Sequence, residues 1–376
     1  MTGWQITGAE LTTAQVTGVL ALAEAARLAD GVAPLSEHVL LHLRYDGSAG
    51  PTPRSPDPKP GRDYILTLDG EIAGYAYLDP PEPAGTDADA SPESMSGELV
   101  IHPARRGRGL GRALVGELTA EAVGHELRLW AHGDLPAAAK LARTAGFERF
   151  RALWQMRRSL RGGLDQPVLP AGRTLRTFVP GRDEDEWLSL NGRAFAGHPE
   201  QGGWTRHDLE LREREPWFDP AGFFIAETDG RMAGFHWTKV HPPGEQDESQ
   251  DPGAPPGAGP LGTGPQGIGE VYVVGVDPAE QGSGLGRSLT LAGLHHLRGL
   301  GLAQAMLYVD EDNIPAIRLY EALGFTRART DAMYRRPVPA TGGRPPLAPP
   351  AGQPRGDEPV KPPWHPPQAS HAGTNP

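Results

Sequence analysis

The chain has 376 residues, no cysteine and a formal net charge of −11. Its length fits two domains of roughly 100–200 residues each. The missing cysteines exclude disulfides, thiolate metal sites and a cysteine nucleophile, and the acidic balance argues against a general nucleic-acid or anionic-membrane footprint.

In chain order, GVAPLSEHVLLHL (31–43) predicts a helix with Ser36 as N-cap, so Glu37 has an ordinary reason to sit in the first turn. ILTLDGEIAGYAYL (65–78) alternates apolar residues around an Asp-Gly turn and predicts a hairpin. After the polar PPEPAGTDADASPESMSG (80–97), VIHPARRGRGLGRAL (100–114) predicts a strand running through a glycine turn into a helix. AAAKLARTAGF (137–147) supplies another helix.

The pattern then repeats. Helices are expected over 183–196 and 206–216, strands over 223–228 and 232–240, and a strand over EVYVVGV (270–276). A helix over 284–298, a strand over 305–309, a helix over 314–323 and a strand over 325–335 complete it. Three pairs of segments carry the duplication: the hairpins at Asp69 and Asp229, the turns at Gly107 and Gly282, and the Gly-Phe pairs at Gly146 and Gly324. Alternating strands and helices predict an α/β chain of two domains, each a mixed sheet flanked by helices, with repeats at 1–160 and 172–337. The Pro/Gly/acidic stretch 241–269 and the Pro-rich tail 338–376 hold too few apolar residues for a core and are expected to be disordered. No apolar run approaches the roughly 18 residues of a membrane span, and MTGWQITGAE has no export-signal pattern, so a cytoplasmic location is expected.

The strand-to-helix turn GSGLGR (282–287) places three glycines where backbone amides meet a helix N-terminus, a place suited to phosphate oxygens. Its spacing is neither the ATP-binding P-loop nor the dinucleotide fingerprint, and its recurrence as RGRGLGR (106–112) argues against an incidental turn. Gln281-x-x-Gly284-x-Gly286 and Arg106-x-x-Gly109-x-Gly111, with NIPAIRLYEALGF (313–325) downstream, resemble the acyl-CoA signature of the GNAT acetyltransferases. That resemblance implies a strand break that opens a V beside the turn. Gly275 is the expected break in the second copy, and Val100 stands in its place in the first.

Tyr320, with Ala316, Leu319 and Leu323 on one helix, is either a core aromatic or a functional hydroxyl. The resemblance implies the latter: a general acid for the departing CoA thiolate, where the first copy has Ala142. Glu270, at the start of the splayed strand, is either a solvated strand end or the general base. Its first-copy counterpart is expected at Met95. Lys239, one of four lysines in the chain, is either a surface charge or an acceptor contact, and Glu200 and Trp204 lie in a loop suited to border a pocket.

LSEHVLLHLR, RAFAGHPEQGGWT, GFHWTKVHP and GEVYVVGVDP are similar to the mycothiol synthase family of tandem GNAT repeats. This resemblance implies acetyl transfer from acetyl-CoA to the cysteinyl amine of desacetylmycothiol, with no metal, in a monomer that binds neither nucleic acid nor membrane. It places acceptor contacts on Glu37, Glu200, Lys239, Glu270 and Tyr308. Acetyl-CoA contacts fall on Val274, Gly275, Val276, Gln281, Gly282, Ser283, Gly284, Leu285, Gly286 and Arg287, then on Asn313, Ile314, Pro315, Ala316, Ile317 and Arg318. A second, non-catalytic acetyl-CoA site falls on Leu99, Val100, Ile101, Gly107, Arg108, Gly109, Leu110, Gly111 and Arg112. Two other readings stay open: a GNAT acting on another amine, such as an aminoglycoside or a protein N-terminus, and an acyl-CoA-binding regulator without turnover.

Overall fold

Two Asp-Gly hairpin turns and two glycine turns set the repeat in three dimensions. A computed structural model describes residues 3–8, 10–46, 61–81, 93–243 and 267–338, apart from the side chains of Asp46, Pro199 and Glu200. The first repeat runs β1 (Trp4–Gly8), α1 (Thr13–Asp30), α2 (Glu37–Leu41), β2 (Arg62–Leu68), β3 (Glu71–Leu78), β4 (Ser94–Ile101), α3 (Leu110–Glu121), β5 (Glu126–Ala131), α4 (Pro136–Thr144) and β6 (Glu148–Ser159). The second runs β7 (Arg173–Thr177), α5 (Glu184–Ala194), α6 (Pro199–Gly202), α7 (Arg206–Glu213), β8 (Phe223–Thr228), β9 (Arg231–His241), β10 (Ile268–Val276), α8 (Leu285–Gly299), β11 (Gln304–Asp310), α9 (Ile314–Ala322) and β12 (Thr326–Arg336).

Local chemistry explains the boundaries. Asp69 and Gly70 have φ of 55° and 85°, and Asp229 and Gly230 have 51° and 73°, the left-handed pair that a tight two-residue hairpin needs. Thr12 and Gln15 form a capping box at the start of α1, and Gly31 closes that helix at φ 69°. The expected Ser36 cap is present: its Oγ accepts from the Val39 N–H at 3.4 Å.

The strands form one sheet in the order β1-β2-β3-β4-β5-β12-β6-β11-β10-β9-β8-β7. Each repeat gives its last strand to the other half: β12 pairs antiparallel with β5, β6 pairs antiparallel with β11, and β6 and β12 pair with each other at the centre. The exchange covers edges that β5 and β11 would otherwise expose. Sequence repeat and spatial half thus differ by one strand. Apolar faces of α1 and α2 pack on one side of the first half, with Val19, Ala26 and Val39 against Ile65 and Tyr75. Helix α3 packs on the other side, with Leu114 and Leu118 against Leu66 and Leu78.

The structure adds an edge strand, β1 and β7, before the first helix of each repeat. Each has five residues, and WQITG and RTLRT are too exposed to show alternation. Two polar segments begin or end inside strands: Ser94–Gly97 belongs to β4, and His241, Ile268 and Gly269 belong to β9 and β10. The remainder of both segments, at 82–92 and 244–266, and the tail from 339 lie outside the described residues. Among the described residues no helix is long and apolar enough to cross a membrane.

Candidate active site

The parallel ladder between β4 and β5 ends at Gly97 opposite Leu129, although β4 continues to Ile101. In the second repeat the ladder runs only from Gly269 opposite Ala305 to Val271 opposite Leu307, while β10 continues to Val276. Each repeat therefore opens a V between two parallel strands, freeing backbone groups on its lips from the ladder.

The break does not fall at Gly275. Register against β9 slips between Val271, opposite Thr238, and Val273, opposite Trp237, so Tyr272 is the bulged residue. Gly275 stays in register opposite Phe235, where a Cβ would come within 2.7 Å of the ring. Packing, not strand breaking, explains that glycine. In the first repeat β3 and β4 pair without a slip, with Val100 opposite Tyr75. The extra residue also shifts the counterpart of Glu270. Glu270 precedes the last paired residue, Val271, and Ser96 precedes the last paired residue, Gly97, so Ser96 and not Met95 holds its place.

Beyond each V lies the glycine turn. Gly107 and Gly109 have φ of 75° and 84°, Gly282 and Gly284 have 77° and 88°, and no atom lies within 4 Å of where their Cβ would be. These open positions lie at the start of α3 and α8, where the amides of a helix N-terminus favour an anion. Ser283 Oγ donates to the Glu280 carbonyl at 2.6 Å, and Arg287 pairs with Asp165 at 2.5 Å. Asn313 caps α9 by accepting from the Ala316 N–H at 3.2 Å, and Ile317 turns into the core.

In the first repeat the V and turn enclose a cavity of about 530 Å³. Leu99, Val100, Ile101, Gly107, Gly109, Leu110, Gly111 and Arg112 line it, with His132 and Ala142 on the far wall. An apolar lining that also includes Arg106 and Arg112 fits a ligand that has an apolar arm and an anionic end.

In the second repeat Glu270 and Lys239 face each other across β10 and β9 and are both buried. Glu270 Oε2 lies 2.6 Å from His241 Nε2. Lys239 Nζ donates to Glu37 Oε1 at 2.5 Å and stands 4.6 Å from the centre of the Trp217 ring. The other Glu37 oxygen accepts from the Tyr272 hydroxyl. Burial opposes ionisation of Glu37, but the Lys239 and Arg212 charges outweigh it and hold the carboxyl below its usual range. Tyr308 accepts from Gln155 Nε2 at 2.9 Å, and burial raises its hydroxyl well above the ordinary phenol range, with Asp331 and Glu270 adding repulsion.

Tyr320 is buried against Phe325, its hydroxyl without a hydrogen bond among the described residues, and burial alone pushes it up to about 12. It keeps its proton through the physiological range. Glu37, Lys239, Glu270 and Tyr308 are thus joined through adjacent strands and one ion pair. The Glu200 side chain lies outside the described residues.

The acetyltransferase (GNAT) family model matches residues 40–147 and 186–325. A mycothiol acetyltransferase of Thermobispora bispora is 57% identical over 319 residues, 85% of this chain and 95% of that protein. The chain belongs to the mycothiol acetyltransferase family of GNAT proteins. Another mycothiol acetyltransferase, from Thermomonospora curvata, is 55% identical over 331 residues, 88% of this chain and 96% of that protein. A tandem GNAT protein from the clavulanic acid biosynthesis pathway shares the fold at TM-score 0.61, with 20% identity over 90% of this chain and all of that one. Family membership makes this mycothiol acetyltransferase relative an acetyl-transferring enzyme and sets aside the regulator without turnover.

Sequence reasoning missed three residues of the candidate site. Arg212 is buried, stacks 3.9 Å over Trp204 and donates to the Tyr272 hydroxyl at 2.7 Å. Tyr272 enters only through the bulge, which no periodicity announces. His241 had a usable signal, since it stands two residues after Lys239 and so shares its face of β9.

Proposed function

We propose that this chain transfers the acetyl group of acetyl-CoA to the cysteinyl amine of desacetylmycothiol, the cysteine-glucosamine-inositol conjugate. The single observation that carries this is the set Glu37, Lys239, Glu270 and Tyr272 gathered beside the V of the second repeat. The identity of the relatives supports the acceptor.

In this reading Glu270 takes a proton from the acceptor ammonium, directly or through one water. The freed nitrogen attacks the thioester carbonyl, the N–C bond forms, and the C–S bond breaks. Tyr320 gives its proton to the departing thiolate, and the proton that the acylated nitrogen sheds to become an amide returns to the Tyr320 oxygen, directly or through one water. Glu37, with Tyr308 and Lys239, supplies partners for the amine and hydroxyls of the acceptor. Residues 274–276, 281–287 and 313–318 hold acetyl-CoA. The first repeat holds a second acetyl-CoA without chemistry, since Ser96 and Ala142 stand where Glu270 and Tyr320 do.

Initial-rate assays with acetyl-CoA and desacetylmycothiol test this directly. Glu270→Gln is expected to lower kcat by roughly 10²–10⁴-fold while acetyl-CoA still binds. Wild-type turnover by that protein overturns the base assignment. A higher kcat/KM for an aminoglycoside or a peptide N-terminus than for desacetylmycothiol overturns the acceptor.

A further inference from the structure

Glu98, His132 and Asp331 form a buried charged cluster that the acetyl-transfer step does not use. Glu98 lies on β4 just past the end of its ladder with β5, and its carboxylate accepts from the Ser36 N–H at 2.7 Å. His132 Nε2 stands 3.6 Å from Glu98, and His132 Nδ1 lies 3.0 Å from Asp331 on the exchanged strand β12. Asp331 also accepts from the Gly133 N–H at 2.8 Å. His132 is at once a member of this cluster and a wall of the first-repeat cavity.

Residues 30–37 join that cavity to the acceptor cluster. At one end Asp30 receives two hydrogen bonds from Arg106, the residue that opens the first glycine turn, at 2.6 and 2.7 Å. Asp30, Val32 and Pro34 line the cavity. Gly31 gives its carbonyl to Arg329 of β12, and Val32 packs so closely on Gly133 that a Cβ there would meet it at 2.8 Å. At the other end Ser36 is fixed by Glu98, and the next residue, Glu37, holds Lys239 and Tyr272 of the second repeat. The seven steps from residue 30 to residue 37 span at most about 24 Å, so the two ends are mechanically close.

We propose that residues 30–37 act as a strap through which an acyl-CoA held in the first-repeat cavity positions Glu37 and tightens acceptor binding at the second repeat. The pantetheine arm packs on Val32 and Pro34 and immobilises the strap from the cavity side, while Glu98 fixes it from beneath. A ligand shifts the strap only by interacting differently with its ordered and loose forms, and that contact supplies the difference. The coupling is reciprocal: bound acceptor raises acyl-CoA affinity in the first cavity by the same factor. This rests on the proposed acetyl transfer, with Glu37 as an acceptor contact.

The test combines acetyl-CoA calorimetry on the full chain with acceptor KM at saturating acetyl-CoA. Arg112→Glu places a carboxylate in the cavity lining, in the first turn of α3, opposing the anionic end of CoA. It is expected to reduce bound acetyl-CoA from two to one and to raise acceptor KM at least fivefold. Glu98→Gln weakens the hold on Ser36 without changing the cavity lining and is expected to raise acceptor KM while two acetyl-CoA still bind. The double variant is no worse than the worse single, since both act on one element. An Arg112→Glu protein that binds one acetyl-CoA with acceptor KM within twofold of wild type overturns the coupling, as does a wild-type protein that binds only one. Failure of the underlying activity reads differently: the wild-type protein then makes no acetylated product.

Discussion

Tyr320 and Ala142 occupy the same turn of α9 and α4, each before a Gly-Phe pair. A core aromatic and a general acid make different demands on the hydroxyl. Packing uses only the ring, and the Tyr320 ring lies against Phe325, while its hydroxyl has no partner among the described residues. Tyr320→Phe therefore removes no hydrogen bond, and unfolding stability is expected to stay within about 1 kcal/mol of wild type. The acid role predicts that the same protein loses roughly 10²-fold or more in kcat. Thermal melts beside initial rates separate the two, and unchanged kcat with unchanged melting leaves Tyr320 a packing residue. The places of Glu270 at the start of a strand and of Tyr320 on the helix before the Gly-Phe pair were legible from strand and helix patterning, and Lys239 stood out as one of four lysines. Arg212 and Tyr272 were not, because they meet the site through helix packing and a strand bulge that join residues far apart in the chain.

Hairpins, glycine turns and the helices after them were legible because each rests on local chemistry: an Asp-Gly pair, a left-handed glycine, a capping side chain. The bulge at Tyr272 was not, since one unpaired residue leaves no periodic trace, and it moved both the break in β10 and the counterpart of Glu270. Helix α8 carries another constraint that only packing reveals. Gly293 sits inside it, where alanine normally gains about 1 kcal/mol of helix propensity. A Cβ there would stand 2.0 Å from His236 Cε1. The ring has no room to retreat: it is fully buried, and Nδ1 lies 2.7 Å from the Leu289 carbonyl oxygen. Burial also holds this imidazole neutral, lowering it to about 4. Gly293→Ala is expected to lose about 1–3 kcal/mol, the clash outweighing propensity, as read by the urea midpoint. Adding His236→Ala restores part of that loss, because the two changes share one space.

At the scale of the whole molecule the duplication was legible and the strand exchange was not, because either pairing of β6 and β12 buries the same alternating faces. The exchange places Asp331 of the second repeat beside His132 of the first, so one charge cluster spans both. Its titration makes cohesion of the halves depend on pH. The flanking carboxylates overcome burial and raise His132 to about 10, against about 6.5 for a free imidazole. A raised folded value means that this stabilisation is complete below pH about 6.5 and fades as pH rises through about 10. Glu98 and Asp331 are both held below the ordinary carboxylate range, so their contribution is present above pH about 4 and lost on further acidification. Stability from this cluster therefore plateaus between about pH 4 and 6.5 and declines on the alkaline side, by at most about 1.4 kcal/mol per pH unit for one proton. In His132→Gln the alkaline decline is expected to flatten, with the gap in melting temperature from wild type widest near pH 6 and narrowing toward pH 10. Parallel curves over that range would mean that the imidazolium does not hold the exchanged strand.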